Sequence, residues 1–257
     1  MILTGLELAE QAFFDQALLQ TTYFRWLREE SLDHEQHGFA NPLRDYRRLL
    51  TGLTDIHEHR PDHVQSYCKR LKLQQDDQSS CEAVYSEIIV YCGCLRELWQ
   101  GHLVSLGLET QSHDLALTRP DGSRAFLEIM CVMPDPKPDS SGLVSYQTHT
   151  QNSSSSIRQK LIQKLERGQL TKESENWAVI ELNHHAMVPF AVLSSLSSGY
   201  KIGPSGEGYD FASDSFFDDE RTRFIRGVVY FFRGHYAARS VLPNPKYEGP
   251  QALTGGV

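Results

Sequence analysis

Two acidic residues flank a segment whose sequence predicts a tight β-hairpin. Asp114 precedes the loop sequence Pro120-Asp121-Gly122, and Glu128 follows it within the run AFLEIMCV. The order Pro, Asp, Gly favours a three-residue loop, in which a type I turn is closed by a glycine in the left-handed region. In that register Asp114 faces Glu128, and directly opposed side chains lie ~5 Å apart at Cβ. A two-residue loop would instead place the two carboxylates on opposite faces of the sheet.

The run around Glu128 is apolar on both faces, which predicts a central, buried strand. Two like charges buried side by side are costly unless a cation lies between them. A divalent metal bound by oxygen ligands removes that cost. The sequence therefore predicts that Asp114 and Glu128 bind a divalent metal ion together.

A third carboxylate comes from the helix predicted over Cys81–Leu106, with Ser79 or Ser80 as its N-cap and Gly107 as its end. On a helical wheel Glu87 lies at the edge of the apolar stripe, so it points towards the sheet. We expect Glu87 to bind the metal directly or to support one of its ligands. The alternative is a residue at the boundary of the core, held in an ion pair.

These residues resemble the PD-(D/E)XK nuclease superfamily, whose pattern is a helical Glu, an Asp at a strand start, a hairpin, and Glu-x-Lys on the next strand. Asp114 and Glu128 match the two acids, and the resemblance covers roughly residues 80–185. The segment SIRQKLIQKLERGQL resembles the helix that follows the hairpin, with Lys164 and Gln169 at positions that often carry Lys and Gln. NWAVIEL would then be the next core strand. The resemblance implies an α/β fold with a restriction-endonuclease-like mixed central sheet flanked by helices.

Met130 stands where the family has its lysine, on the same face of the predicted strand as Glu128. In the family that lysine is thought to orient or activate the attacking water and to steady the developing phosphate charge. A methionine does neither, so catalysis is lost or another cation replaces the lysine. Lys160 and Lys164 share the sheet-facing side of the next predicted helix. We expect Lys164 to be the replacement, because it also matches the family.

The whole chain has a composition that is ordinary for a globular protein. Its 257 residues carry a formal charge of -8, which argues weakly against a simple electrostatic nucleic-acid binder. Its five cysteines suggest no disulfide framework and no zinc site. The first residues do not resemble a secretory signal, and no apolar run spans a bilayer, so we expect a cytoplasmic protein without membrane association. We expect a helical region over residues 1–78 and the nuclease-like domain over residues 79–257.

Taken together, these features predict metal-dependent hydrolysis of nucleic acid, with DNA as the substrate that the resemblance implies. Mg²⁺ or Mn²⁺ would be bound by Asp114, Glu128 and Glu87, and Lys164 would join these three in catalysis. The main alternative, motivated by Met130, is a nuclease fold that no longer cuts. Such a protein would bind nucleic acid or act as a scaffold, as a homodimer or with a partner protein in a defence or repair complex. A third hypothesis is a helical adaptor whose first 78 residues expose aromatic side chains to a partner.

Overall fold

A computed structural model gives the structure of the protein, and none of its described helices is both long and apolar enough to cross a membrane. The description covers residues 5–28, 46–108, 114–132, 157–167, 175–182, 189–197, 199–203, 206–210, 215–232 and 234–250.

The first part of the chain is helical, as its spacing of apolar residues predicts. The Asp15 side chain caps the second helix by accepting a hydrogen bond from the Leu18 N–H, at 2.8 Å. Pro61 occupies the first turn of the fifth helix, where its missing N–H costs nothing. Asn41-Pro42 predicts the start of a helix, because proline suits a first turn, but these residues lie outside the described ranges. The helices are α1 (Gly5–Phe13), α2 (Gln16–Leu19), α3 (22–28), α4 (Tyr46–His59) and α5 (Pro61–Leu73).

The long central helix, α6, spans Gln78–Trp99, so the predicted end at Leu106 is wrong. The predicted cap is also wrong, because Asp77 rather than either serine accepts from the backbone, at the Ser79 N–H. Gly101, with φ of 80°, turns the chain out of the helix. Leu103 and Leu106 are still buried, but they lie beyond the helix, where their helical spacing is coincidental.

A six-stranded mixed sheet forms the centre of the protein, in the order β1-β2-β3-β4-β7-β8. The first three strands are antiparallel neighbours, β3, β4 and β7 run parallel, and β8 returns antiparallel to β7. The predicted mixed sheet is therefore confirmed, whereas β1 was not predicted. The strands are β1 (Ser105–Leu108), β2 (Leu115–Thr118), β3 (Arg124–Val132), β4 (Glu175–Leu182), β7 (Ile225–Phe232) and β8 (Ser240–Pro243).

The hairpin between β2 and β3 has the predicted three-residue loop. The ladder pairs Thr118 with Arg124, and the Arg119 N–H donates to the Ser123 carbonyl at 2.9 Å. Gly122 closes the turn with φ of 81°, the left-handed conformation that its lack of a Cβ permits. The loop length sets which residues face each other further along both strands.

Helices cover both faces of the sheet. One face packs on α6, which also contacts α4 and α5, whereas the other packs on α7 (157–166) and α8 (Pro189–Leu196). Along β3 the two faces alternate, with Ile129 in the first core and Met130 in the second. The first core continues without a break into the N-terminal helices, where Leu53 of α4 is fully buried. The expected boundary near residue 78 therefore lies within one shared core.

A separate two-stranded sheet pairs β5 (Gly199–Gly203) with β6 (Gly206–Asp210). The stretch 199–220 is rich in Gly, Ser and Asp and predicts a loop, which is wrong where these two strands form. Residues rich in Gly, Ser and Asp carry weak strand signals, and here the short pairing forms despite them.

Candidate functional site

Asp114 lies just before β2, at the point where the chain enters the hairpin. The last ladder pair is Leu115 with Leu127, so continuing the same register sets Asp114 against Glu128. The Asp114 N–H donates to the Leu127 carbonyl at 3.1 Å, and the Ile129 N–H donates to Asp114 Oδ2 at 2.7 Å. Asp114 is thus fixed to the β3 backbone on either side of Glu128, through its own backbone N–H at Leu127 and through its carboxylate at Ile129.

Glu128 is buried, with 1% of its surface exposed, on the face of β3 that packs against α7. Its Oε1 accepts from the ammonium group of Lys164 on α7. Its Oε2 is buried and has no hydrogen-bond partner. A buried carboxylate oxygen without a partner is uncommon in a folded protein, and it is free to carry a proton or to contact a water or a cation.

The other buried carboxylates of the sheet provide a comparison. Glu175 accepts from the Arg119 guanidinium through both oxygens and from the indole N–H of Trp177. Glu181 accepts from the Gly234 N–H and the Ser86 hydroxyl. Of these three glutamates, Glu128 has a carboxylate oxygen without a hydrogen-bond partner, whereas Glu175 and Glu181 do not. Glu128 is therefore the exception among the buried glutamates of the described strands.

The electrostatics around Glu128 follow from its burial and its neighbours. Burial raises the pKa of Glu128 to about 7, and the negative charge of Asp114 adds to this shift, whereas Lys164 opposes it. Burial likewise raises the pKa of Asp114, against the opposing charges of Lys164 and Arg70. Ionisation of both carboxyl groups at the same time is therefore unfavourable unless further positive charge is supplied.

Glu87 of α6 points towards this site, as the helical wheel predicts, and is 5% exposed. Both of its oxygens accept from the guanidinium of Arg70 on α5, with Nη2 to Oε1 at 2.6 Å. Burial raises the pKa of Glu87 to about 7, even though Arg70 opposes the shift. The ion-pair alternative for Glu87 is thus the arrangement present, since Arg70 donates to both of its carboxylate oxygens.

The two lysines of α7 have different partners. Lys164 reaches Glu128, whereas Lys160 donates to the Cys131 carbonyl at 2.6 Å. Met130 is buried in the apolar core beside Ile157 and Leu161, so β3 presents no cation at the position of the family lysine. The amine beside Glu128 therefore comes from the helix. Gln169 lies outside the described residues.

Three carboxyl groups and two cations converge here, which leaves an excess of negative charge if all are ionised. No group of three or more His, Cys, Asp and Glu side chains within the described ranges is arranged to hold a metal ion. Asp114 and Glu128 remain as a pair, and Glu87 is separated from them by its bond to Arg70. Two carboxylates suit Mg²⁺, which binds few protein ligands and retains several of its waters. The pair and the unpartnered oxygen of Glu128 fit such an ion, whereas a three-carboxylate site does not.

Arg70 is the member of the site that the sequence did not indicate. It lies 17 residues before Glu87 and on another helix, so no local spacing connects the two. The sequence offers only an indirect indication, because a buried Glu on a helix face requires a counter-ion but does not show which residue provides it.

The sequence matches no protein-family model and no curated protein, and no solved structure matches the chain.

Proposed function

We propose that this protein is a metal-dependent nuclease that hydrolyses phosphodiester bonds of nucleic acid, with DNA as the substrate class. The observation that carries the proposal is the buried pair of Asp114 and Glu128, in which Glu128 Oε2 has no hydrogen-bond partner. Such a pair costs free energy in isolation and becomes favourable when a divalent cation is bound.

The order of elements supports the family on which the proposal draws. A helix with Glu87 precedes the hairpin, a second helix follows it, and β4 then pairs parallel to β3. This is the succession of helix, hairpin, helix and strand that the resemblance implies. The restriction-endonuclease-like form of the mixed sheet is part of this proposal.

In the proposed site, Asp114 and Glu128 hold one Mg²⁺ or Mn²⁺ ion. A divalent ion held there would supply Lewis-acid chemistry, making a water more acidic and countering the charge that develops on the phosphate. Asp114 is fixed for this role by the Ile129 N–H, which orients its carboxylate. Glu87 supports the site indirectly, since it holds Arg70 close to the carboxylates.

Lys164 supplies the cation that β3 lacks. Its ammonium group lies beside Glu128, and its side chain is 23% exposed, so it is accessible from solvent. From that position it can donate a hydrogen bond to a water or to a phosphate oxygen, the role that the family assigns to its lysine. The role has thus moved from the strand to the following helix.

The test measures metal binding and cleavage separately. Calorimetry with Mn²⁺ should show one tight site in the wild type that Glu128→Gln and Asp114→Asn weaken. With Mg²⁺, both variants should cleave plasmid and single-stranded DNA at least about a hundred-fold more slowly, because several kcal/mol of charge stabilisation are lost. Lys164→Met should bind Mn²⁺ yet fail to cleave.

Glu166→Gln is the matched control, since Glu166 lies on the same helix as Lys164 and is 60% exposed. It should cleave at the wild-type rate. Cleavage at the wild-type rate by both Glu128→Gln and Asp114→Asn would remove the assignment.

A second function is favoured by Met130 and by the bond between Arg70 and Glu87. A nuclease fold that has lost its strand lysine, and whose helical carboxylate is neutralised by an arginine, would bind nucleic acid or act as a scaffold without cutting it. Wild-type protein that binds no Mn²⁺ and cleaves no DNA, but shifts a DNA duplex in a binding assay, would select this function.

A further inference from the structure

A cleft of about 400 Å³ opens between α4 and α6, apart from the carboxylate site. The two helices approach closely at Gly52, where an added Cβ would lie 3.0 Å from Cys92 Sγ. One end is closed by the 3-10 helix Tyr236–Ala238, whose tyrosine ring packs onto Gly93 so tightly that a Cβ there would lie 2.1 Å from it. Both glycines thus shape the cleft, and its volume lies within the range of small-molecule sites.

Three arginines from three separate segments line this cleft: Arg48 of α4, Arg96 of α6, and Arg239 after the 3-10 helix. Arg239 is held in place by the Tyr236 ring, 4.8 Å from its guanidinium carbon, and by Glu97 Oε1 at 3.3 Å. The Arg96 side chain is exposed and makes no hydrogen bond or ion pair with any residue that the structure describes, although its charge acts on the nearby Asp55 carboxylate. Cations brought together in this way repel each other unless negative charge is added.

The carboxylates that line the cleft, Asp55 and Glu97, are fewer than its arginines. Glu97 is shared between Arg239 and His102, and Asp55 is close enough to Arg96 for their charges to interact, which leaves two carboxylates against three guanidinium groups. The cleft is therefore locally basic in a chain whose formal charge is -8. Guanidinium groups match the oxygens of phosphate in both charge and geometry.

The other lining groups indicate what the phosphate would be attached to. Ile89 and the Tyr236 ring provide apolar surface, whereas Asp55 and Glu97 accept hydrogen bonds from hydroxyl or amino groups. We propose that this cleft binds a small phosphate monoester with such donors, of about the size of a mononucleotide, through Arg48, Arg96 and Arg239. This site is independent of the proposed nuclease centre.

The test titrates the full-length protein with AMP, inorganic phosphate and succinate in separate calorimetric experiments at constant salt. AMP should bind, phosphate should bind more weakly, and succinate should not bind measurably. Arg96→Gln should weaken AMP about ten- to hundred-fold, the effect of losing one charge-assisted hydrogen bond. Thr51→Trp, which keeps the charge but fills the cleft from α4, should also weaken AMP.

Arg47→Gln is the matched control, since Arg47 is exposed on α4 beside Arg48 but does not line the cleft. It should bind AMP as the wild type does. Failure of the wild type to bind AMP, equal affinity for succinate, or equal weakening by Arg47→Gln and Arg96→Gln would each overturn the proposal. Wild-type protein that binds AMP but shows no Mg²⁺-dependent cleavage would contradict the nuclease proposal and support the AMP site.

Discussion

The pair of Arg70 and Glu87 ties the first helices to the candidate site at the level of single side chains. Arg70 is 38% exposed and Glu87 is 6% exposed at the side chain, so the pair lies between a surface and a buried salt bridge. We expect a double-mutant cycle of Arg70→Met and Glu87→Gln to give a coupling energy of about 1–3 kcal/mol. Denaturant unfolding of the two single variants and the double variant measures it. Additive effects would show that the pair contributes nothing beyond its separate members.

The pH dependence of stability follows from the raised pKa of Glu128, about 7 against 4.5 for the free side chain. Between these values the folded state binds a proton at Glu128 that the unfolded state releases, so this group stabilises the fold below pH 4.5 and loses that contribution as pH rises to 7. The stability of metal-free wild type relative to Glu128→Gln should therefore fall over this range, by about 1.4 kcal/mol per unit of pKa shift at most.

Denaturant unfolding in the presence of EDTA at pH 4.5, 5.5 and 7 measures this difference. Adding Mn²⁺ at pH 7 should restore stability to wild type and leave Glu128→Gln unchanged. A difference between the two proteins that is constant with pH would mean that Glu128 has the same pKa in both states.

The sequence alone predicts that Asp114, Glu128 and Lys164 lie near each other, because each position follows from local rules. Turn chemistry fixes the hairpin register, strand alternation fixes the face of Glu128, and helical spacing fixes the side of Lys164. The partner of Glu87 could not be predicted in this way. It depends on how α5 packs against α6, which is a tertiary arrangement that no single segment encodes.

The hairpin is the element on which the site depends, and Gly122 is its most constrained residue. A Cβ at Gly122 would contact nothing within 4 Å, so Gly122→Ala should cost only the strain of φ near 81°, about 1–2 kcal/mol. Gly122→Asn should cost less, because asparagine tolerates this conformation. Thermal unfolding measures both changes.

Gly101 is the matched control for this prediction, with φ of 80° and no atom near its Cβ position, but at the end of α6. Gly101→Ala should cost a similar amount. Mn²⁺ binding should stay unchanged in both alanine variants, since neither alters the loop length. A large loss of metal affinity in Gly122→Ala alone would mean that the hairpin register slips when the turn is strained.

Elements with strong local signals were predicted well, and elements without them were missed. The hairpin, α7 and β4 have clear turn, capping or apolar patterns, and they lie within a few residues of the predicted bounds. The end of α6 was wrong because Leu103 and Leu106 continue its spacing after the helix has ended. Leu103 is buried in the loop after α6 and Leu106 is buried in β1, so one apolar spacing continues across elements of different type.

At the scale of the whole molecule, the N-terminal helices are part of the core and not an appended module. Phe24, Leu49 and Tyr67 are fully buried among residues of α6 and the sheet. The aromatic side chains that an adaptor would present to a partner are therefore largely used within the fold, which disfavours the adaptor hypothesis. Arg70 adds a polar link between the same two parts of the chain.

This shared core predicts that the chain unfolds as one unit. Leu53 of α4 is fully buried, so Leu53→Ala should lower the free energy of unfolding by about 2–5 kcal/mol. If the N-terminal helices and the sheet unfold together, the lower free energy of unfolding should speed hydrogen exchange throughout. The most protected amides of β3 and β4 should then exchange more than ten-fold faster, as should those of α4. Mass spectrometry of the full chain resolves the three elements in one experiment.

Leu8→Ala is the control, at a residue that is 55% exposed on α1, and it should leave exchange in all three elements unchanged. Faster exchange confined to residues 46–73, with the strands unaffected, would instead show that the helices and the sheet are separate folding units.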